Sequence, residues 1–160
     1  MEAQKKARKP IKLATKSEHA AYFMPMLENF AEHGELNEVV KNCVGKACDL
    51  MDAGIPLYPN DFRRKHEAGP VHAEYEALGE EELEALDTVF ELAGRMMSSR
   101  SFGKVIFFHL MDRTGRLQCY AEKSLLGDDA FAAFKKLDVG DIVGVTGSLF
   151  RTKTGELTAQ

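Results

Sequence analysis

At 160 residues, 44% hydrophobic and 29% charged, the chain is long enough to bury one well-formed core but short for two independent domains, and no apolar run approaches the ~18 residues of a membrane span. The net charge of −4 excludes a uniformly basic surface, yet the balance is uneven: Gly94 to Gln160 carries ten Lys/Arg against seven Asp/Glu, the remainder eleven against eighteen. A polyanion responds to that local field and not to the total, so a nucleic-acid partner stays open for the second half of the chain.

Residues 1–23 hold Lys5, Lys6, Arg8, Lys9, Lys12 and Lys16 with little periodicity and are expected to form a disordered tail. Such a tail either attracts RNA electrostatically or is an upstream extension, with the start at Met24 or Met26. No apolar segment follows the basic residues, so no secretory signal is expected and the chain is placed in the cytoplasm. From Leu36 the apolar residues Val39, Val40, Cys43, Val44, Ala47, Leu50 and Met51 form one helical stripe that Gly54 closes, a packing helix. Cys43, Cys48 and Cys119 have neither disulfide-framework nor zinc-ligand spacing and are expected to be reduced, with no metal site.

IPLYPNDFRRKH (55–66), with two prolines and an Asn-Asp pair, predicts an extended connector, and Val71–Leu86 one or two short helices with a solvated glutamate face. From Val89 the period becomes two. Strands are expected at 89–97, 104–111 and 116–121, then a helix at 128–137 with acidic residues in its first turn. A strand at 141–150, a turn at 152–155 and a last strand from Glu156 complete the order β-β-β-α-β-β. That is the layout of a five-stranded OB-fold Greek-key barrel, here mainly β with α, with its last strand truncated and a helical extension before it. The predicted organisation is therefore a tail (1–23), a helical extension with a Pro-rich connector (24–88) and the barrel domain (89–160).

The turn Asp112-Arg113-Thr114-Gly115 sets a register that opposes Met111 to Arg116, His109 to Gln118 and Phe107 to Tyr120. One face then reads Ile106, Phe108, Leu110, Leu117, Cys119 and is core. The other carries Phe107, His109, Gln118 and Tyr120, bordered by Arg100 and Lys104. Rings stack bases, amides and guanidinium groups read base edges, and flanking cations hold phosphates, so the pattern suits single-stranded nucleic acid. Coverage of that face by the N-terminal helices, or another ligand, remains a competing reading, as does a standalone single-strand-binding or structural module. Glu156 can only accept hydrogen bonds; it suits a base reader better than a phosphate binder, although an exposed turn glutamate needs no role at all.

YPNDFRR (58–64), LAGRMMSSRSFGK (92–104), DRTGRLQCY (112–120), FKKLDVGDIVG (134–144) and LFRTKTGEL (149–157) together resemble the N-terminal anticodon-binding region of bacterial class II lysyl-tRNA synthetases, over some 125 residues from about Leu36. The resemblance implies tRNA anticodon binding by Arg100, Phe107, Gln118 and Glu156: Phe107 stacking on the central uracil, Arg100 and Gln118 hydrogen-bonding it, and Glu156 helping to read the anticodon. Lys104, Arg113, Arg116, Arg151 and Lys153 are expected at phosphates, His109 and Tyr120 as auxiliary contacts. It also implies a homodimer and an ATP- and magnesium-dependent lysine-tRNA ligase as the complete parent, whose catalytic domain would lie beyond Gln160. No Walker loop or nucleophile–base pair is legible, so no catalytic residue is assigned and the isolated chain is expected to be non-catalytic. His109 and Met111 depart from the family pattern, which often has Asp or Thr and Gln there, and Gly45 interrupts its helix.

Overall fold

A computed structural model describes residues 17–160, which fall into two compact units, one running through Pro59 and the other Asn60–Gln160. In the first, α1 (Ala20–Glu32) packs on α2 (Glu38–Asp52) around buried Leu27, Val44 and Cys48. The Asn37 side chain caps α2 by accepting from the Val40 N–H at 3.0 Å. Past its end Gly54 takes φ 72°, which favours glycine. The stretch 17–23 corrects the expectation of a disordered tail: a turn at 18–19 leads into α1, whose first residues are 20–23. Ala20 and Phe23 pack against the cluster of Leu27, Val44 and Cys48, and Ser17 Oγ and His19 Nδ1 both reach Asp52 Oδ1, at 2.8 and 2.7 Å. Residues 1–16 of that expected tail lie outside the described residues.

The second unit opens with α3 (Ala68–Tyr75) and α4 (Glu80–Glu84), whose Ala68, Val71 and Leu83 are buried in one core with the sheet, so these helices belong with the strands and not with α1 and α2. The strands are β1 (Phe90–Phe102), β2 (Val105–Met111), β3 (Arg116–Glu122), β4 (Ile142–Gly147), β5 (Leu149–Arg151) and β6 (Leu157–Ala159). Between β3 and β4 stand α5 (Lys123–Leu126), unexpected from the sequence, and α6 (Asp128–Phe134). The sheet order is β4-β1-β2-β3-β6-β5, with β3 and β6 parallel and every other pair antiparallel.

The count of six strands corrects the expected five. The strand predicted at 141–150 breaks at Ser148 into β4, which pairs with β1, and β5, which pairs with β6. Gly147 sits where a Cβ would lie 1.5 Å from the Gln160 carbonyl oxygen, and Ser148 and Gln160 exchange both backbone hydrogen bonds at 3.2 and 2.9 Å. The chain thus changes neighbours at a glycine because only a residue without a side chain admits the close approach. Among the described residues no ladder joins β4 to β5, so the sheet is not closed, but these end strands are consecutive in the chain.

The predicted β2–β3 register is the observed one, from Met111↔Arg116 to Phe107↔Tyr120. Ile106, Phe108, Leu110, Leu117 and Cys119 are all 2% exposed or less, and burial pushes the Cys119 thiol up to about 12, which leaves it inert at neutral pH. Among the described residues no helix is long and apolar enough to cross a membrane.

Candidate nucleic-acid interface

The opposite face of the β2–β3 hairpin floors an open groove of about 790 Å³. A β-bulge decides what β1 adds to it. Arg95↔Met111 and Met96↔Leu110 are in register, and Met97 is then skipped so that Ser98 opposes His109, Arg100 opposes Phe107 and Phe102 opposes Val105. Strand residues alternate faces, so without the extra residue Ser98, Arg100 and Phe102 would share the core face of buried Met96. The bulge turns them into the groove. The sequence pattern predicts a strand end at Met97 and so a border place for Arg100; in the structure Arg100 is inside β1, opposite Phe107, and its guanidinium has no hydrogen bond or ion pair among the described residues.

Gln118 is oriented by a chain of hydrogen bonds. Its Nε2 donates to Thr158 Oγ1 at 2.8 Å, and that hydroxyl donates its only proton to the Glu156 carbonyl at 3.1 Å. Toward Gln118 the hydroxyl can therefore only accept, so the amide must present its NH2 end there and its Oε1 is left as an acceptor. Thr158 is fully buried, which makes this a fixed support beneath a half-buried amide.

Phe107 lies in an aromatic row. Phe102 meets it edge-on with centroids 6.4 Å apart, Tyr120 lies 5.0 Å on its other side, and Phe150 is 5.6 Å from Tyr120. Phe102 is 62% exposed. The Tyr120 hydroxyl donates to Glu122 Oε2 at 2.8 Å; burial first, and then this bond, push the phenol up, while hydrogen bonds from Ser124 and Tyr120 hold the Glu122 carboxyl down. The tyrosine thus offers the groove its ring and not its hydroxyl. Phe102 and Phe150 escaped the sequence reading, although Phe102 stands two residues after Arg100, at same-face spacing.

The β5–β6 turn forms one wall. Glu156 N–H donates to Thr152 Oγ1 at 3.1 Å, Gly155 takes φ 84°, and the Glu156 carboxylate meets His109 Nε2 at 3.2 Å. Lys153 lines the groove and is exposed, without an ion-pair partner among the described residues. Arg151, expected at a phosphate, also lines the groove; its guanidinium donates to the backbone carbonyls of Leu78, Gly155 and Glu76 and ties the turn to the α3–α4 link.

Three further cations expected at phosphates do not line this groove. Arg113 binds Glu67 Oε1 through Nε and Nη2 at 2.9 and 2.6 Å, while Lys104 and Arg116 are exposed beside the β1–β2 turn and at the start of β3. Among the described residues no group of three or more His, Cys, Asp or Glu is placed to hold a metal ion.

A six-stranded open sheet with this order, a helical insertion after the third strand, and an aromatic and polar groove on the β1–β2–β3 face together make the layout of an OB-type fold. Residues 90–160 match the tRNA anticodon-binding family, described as an OB-fold nucleic acid binding domain. Over most of its length the chain is similar to lysine–tRNA ligases: it is 42% identical over 127 residues to that of Carboxydothermus hydrogenoformans, 48% over 124 residues to that of Laribacter hongkongensis and 45% over 125 residues to that of Escherichia coli. These alignments cover 78–79% of the chain and 25% of each relative, so the chain spans about a quarter of the length of the relatives it matches.

Proposed function

We propose that this chain recognises the anticodon loop of a lysine tRNA and serves as the anticodon-binding part of a lysine–tRNA ligase. The observation that carries the reading is the meeting of Arg100, Phe107, Gln118 and Glu156 in one groove with complementary free groups. Uracil offers two carbonyl acceptors and one N–H donor on its pairing edge; the Arg100 guanidinium and the Gln118 Oε1, both without a partner among the described residues, supply donors and an acceptor. A purine or cytosine presents a different donor pattern to that pair. Phe107 stacks on the base whatever its identity. In the complete ligase, on this reading a cytoplasmic homodimer, ATP and magnesium belong to a catalytic domain outside these 160 residues, and this chain contributes selection of the tRNA and no chemistry.

The test compares the lysine anticodon stem-loop, the same loop with its central uracil replaced by each other base, an unrelated stem-loop and oligo-dT, all at one salt concentration. The wild-type chain should prefer the lysine loop. Phe107→Ala should weaken every RNA by ~1–3 kcal/mol, the usual worth of one stacked base. Arg100→Ala and Gln118→Ala should instead erase the preference for uracil, each by about 1–3 kcal/mol. Equal wild-type affinity for all of these ligands would favour a general single-strand binder.

A further inference from the structure

His109 reads from the sequence as an auxiliary RNA contact, but both of its ring nitrogens are already engaged. Nδ1 lies 2.9 Å from Ser98 Oγ on β1 and Nε2 lies 3.2 Å from Glu156 Oε1 on the β5–β6 hairpin. The proton positions follow from the partners. A carboxylate can only accept, so Nε2 carries the hydrogen that faces Glu156, and Nδ1 of the neutral ring then accepts from the Ser98 hydroxyl. The relay runs from Ser98 through His109 to Glu156 and crosses β1, β2 and the hairpin wall. It spends one carboxylate oxygen, Oε1, and leaves Oε2 without a hydrogen bond among the described residues. The Glu156 side chain is 49% exposed and the His109 side chain 31%, so the imidazole is the more enclosed member of the pair.

We propose that His109 is a positioning residue for base selection: it holds the Glu156 carboxylate so that Oε2 faces the groove, where it accepts from an N–H or amino group of the nucleotide beside the one stacked on Phe107, and His109 itself does not touch RNA. The proposal rests on the anticodon reading for its ligand. The geometry suits the role, since the imidazole spans from Ser98 on the sheet to Glu156 on the hairpin.

Two measurements test it. Without RNA, nitrogen-15 NMR of the imidazole in the full chain should show the Nε2–H tautomer when the ring is neutral, and Glu156→Ala should weaken that preference; a dominant Nδ1–H tautomer would overturn the proposal whatever the chain binds. With RNA, the affinities of wild type, His109→Ala, Glu156→Ala and the double variant are compared on the lysine stem-loop and on loops changed at each anticodon position. Each single variant should lose roughly five- to tenfold and lose discrimination at the same position, and the double variant should be no weaker than Glu156→Ala. His109→Gln, whose amide N–H can replace Nε2–H, should restore most of the discrimination, which also covers the case where His109→Ala folds poorly. Multiplying losses in the double variant, or a shallower salt dependence in His109→Ala, would make His109 an RNA contact and sink the proposal while the anticodon reading stands. A wild-type chain that does not distinguish the lysine loop would sink that reading, and the RNA half of this proposal with it.

Discussion

Two hairpin turns of the sheet, Asp112-Arg113-Thr114-Gly115 and Thr152-Lys153-Thr154-Gly155, share a basic residue, a threonine and a glycine in the same order, and they face different surroundings. In the first, almost every polar group is consumed by the protein. Asp112 accepts from the N–H groups of Ala68, Thr114 and Gly115 and from Thr114 Oγ1, Thr114 Oγ1 accepts from Gly69 N–H, and Arg113 is held by Glu67, which Arg64 of the connector also reaches at 3.2 Å. In the second, the backbone is fixed by Thr152 and by the Arg151 guanidinium, while Lys153 and Glu156 are left facing the groove. One turn is a docking point for α3, the other a displayed edge. A basic residue in a turn is therefore no evidence of a phosphate site until its neighbours are known.

The largest test of that contrast is Asp112→Ala, which strands several donors at a side chain only 5% exposed. It should cost about 2–4 kcal/mol in chemical denaturation while the folded fraction binds RNA as wild type does. The turn also has a signature in pH. Burial disfavours the ionised Asp112 carboxyl, but the hydrogen bonds from Thr114, Ala68 and Gly115 outweigh it and hold its pKa below the ordinary carboxylate value. A lowered folded-state pKa means that the stabilisation is fully present above the unfolded value near ~3.9 and is lost as pH falls through the folded value. Asp112→Asn should remove that part of the acid sensitivity, and an unchanged stability profile below pH ~4 would show the carboxylate to be unimportant.

Next in size is Arg151→Ala. Three backbone carbonyls lose their donor, so stability should drop by roughly 1–3 kcal/mol, and the loosened hairpin should lower base discrimination more than overall affinity. If affinity fell uniformly with salt-sensitive losses instead, Arg151 would be a phosphate contact after all. Smallest are the two turn cations compared directly. Lys153→Ala should leave stability unchanged and reduce the slope of log affinity against log salt by ~0.7, the value for one phosphate on a single strand. Arg113→Ala, whose charge is already paired at the surface, should change the slope little and stability by ~0–1 kcal/mol. Equal slopes for the two variants would erase the distinction between the turns.

Alternation of side chains along β2 and β3, with a four-residue turn between them, determined by itself which residues are core and which face outward, because a period of two and one turn length leave a single register. Phe107, His109, Gln118 and Tyr120 were legible for that reason, and the sequence motifs singled out Arg100 and Glu156 beside them. The helices at 38–52 and 128–134 were legible from spacing and end signals. The bulge at Met97, the break at Ser148, the Thr158 hydroxyl beneath Gln118 and the partners of Arg113, Arg151 and His109 were not. Each depends on which strand or helix lies alongside, a long-range pairing between Ala68 and Asp112 or Ser98 and His109 and Glu156 that no local period encodes. Local pattern fixes the direction in which a side chain points; only the packed sheet decides which groups wait there, and so whether a polar residue is spent on the fold or left for a ligand.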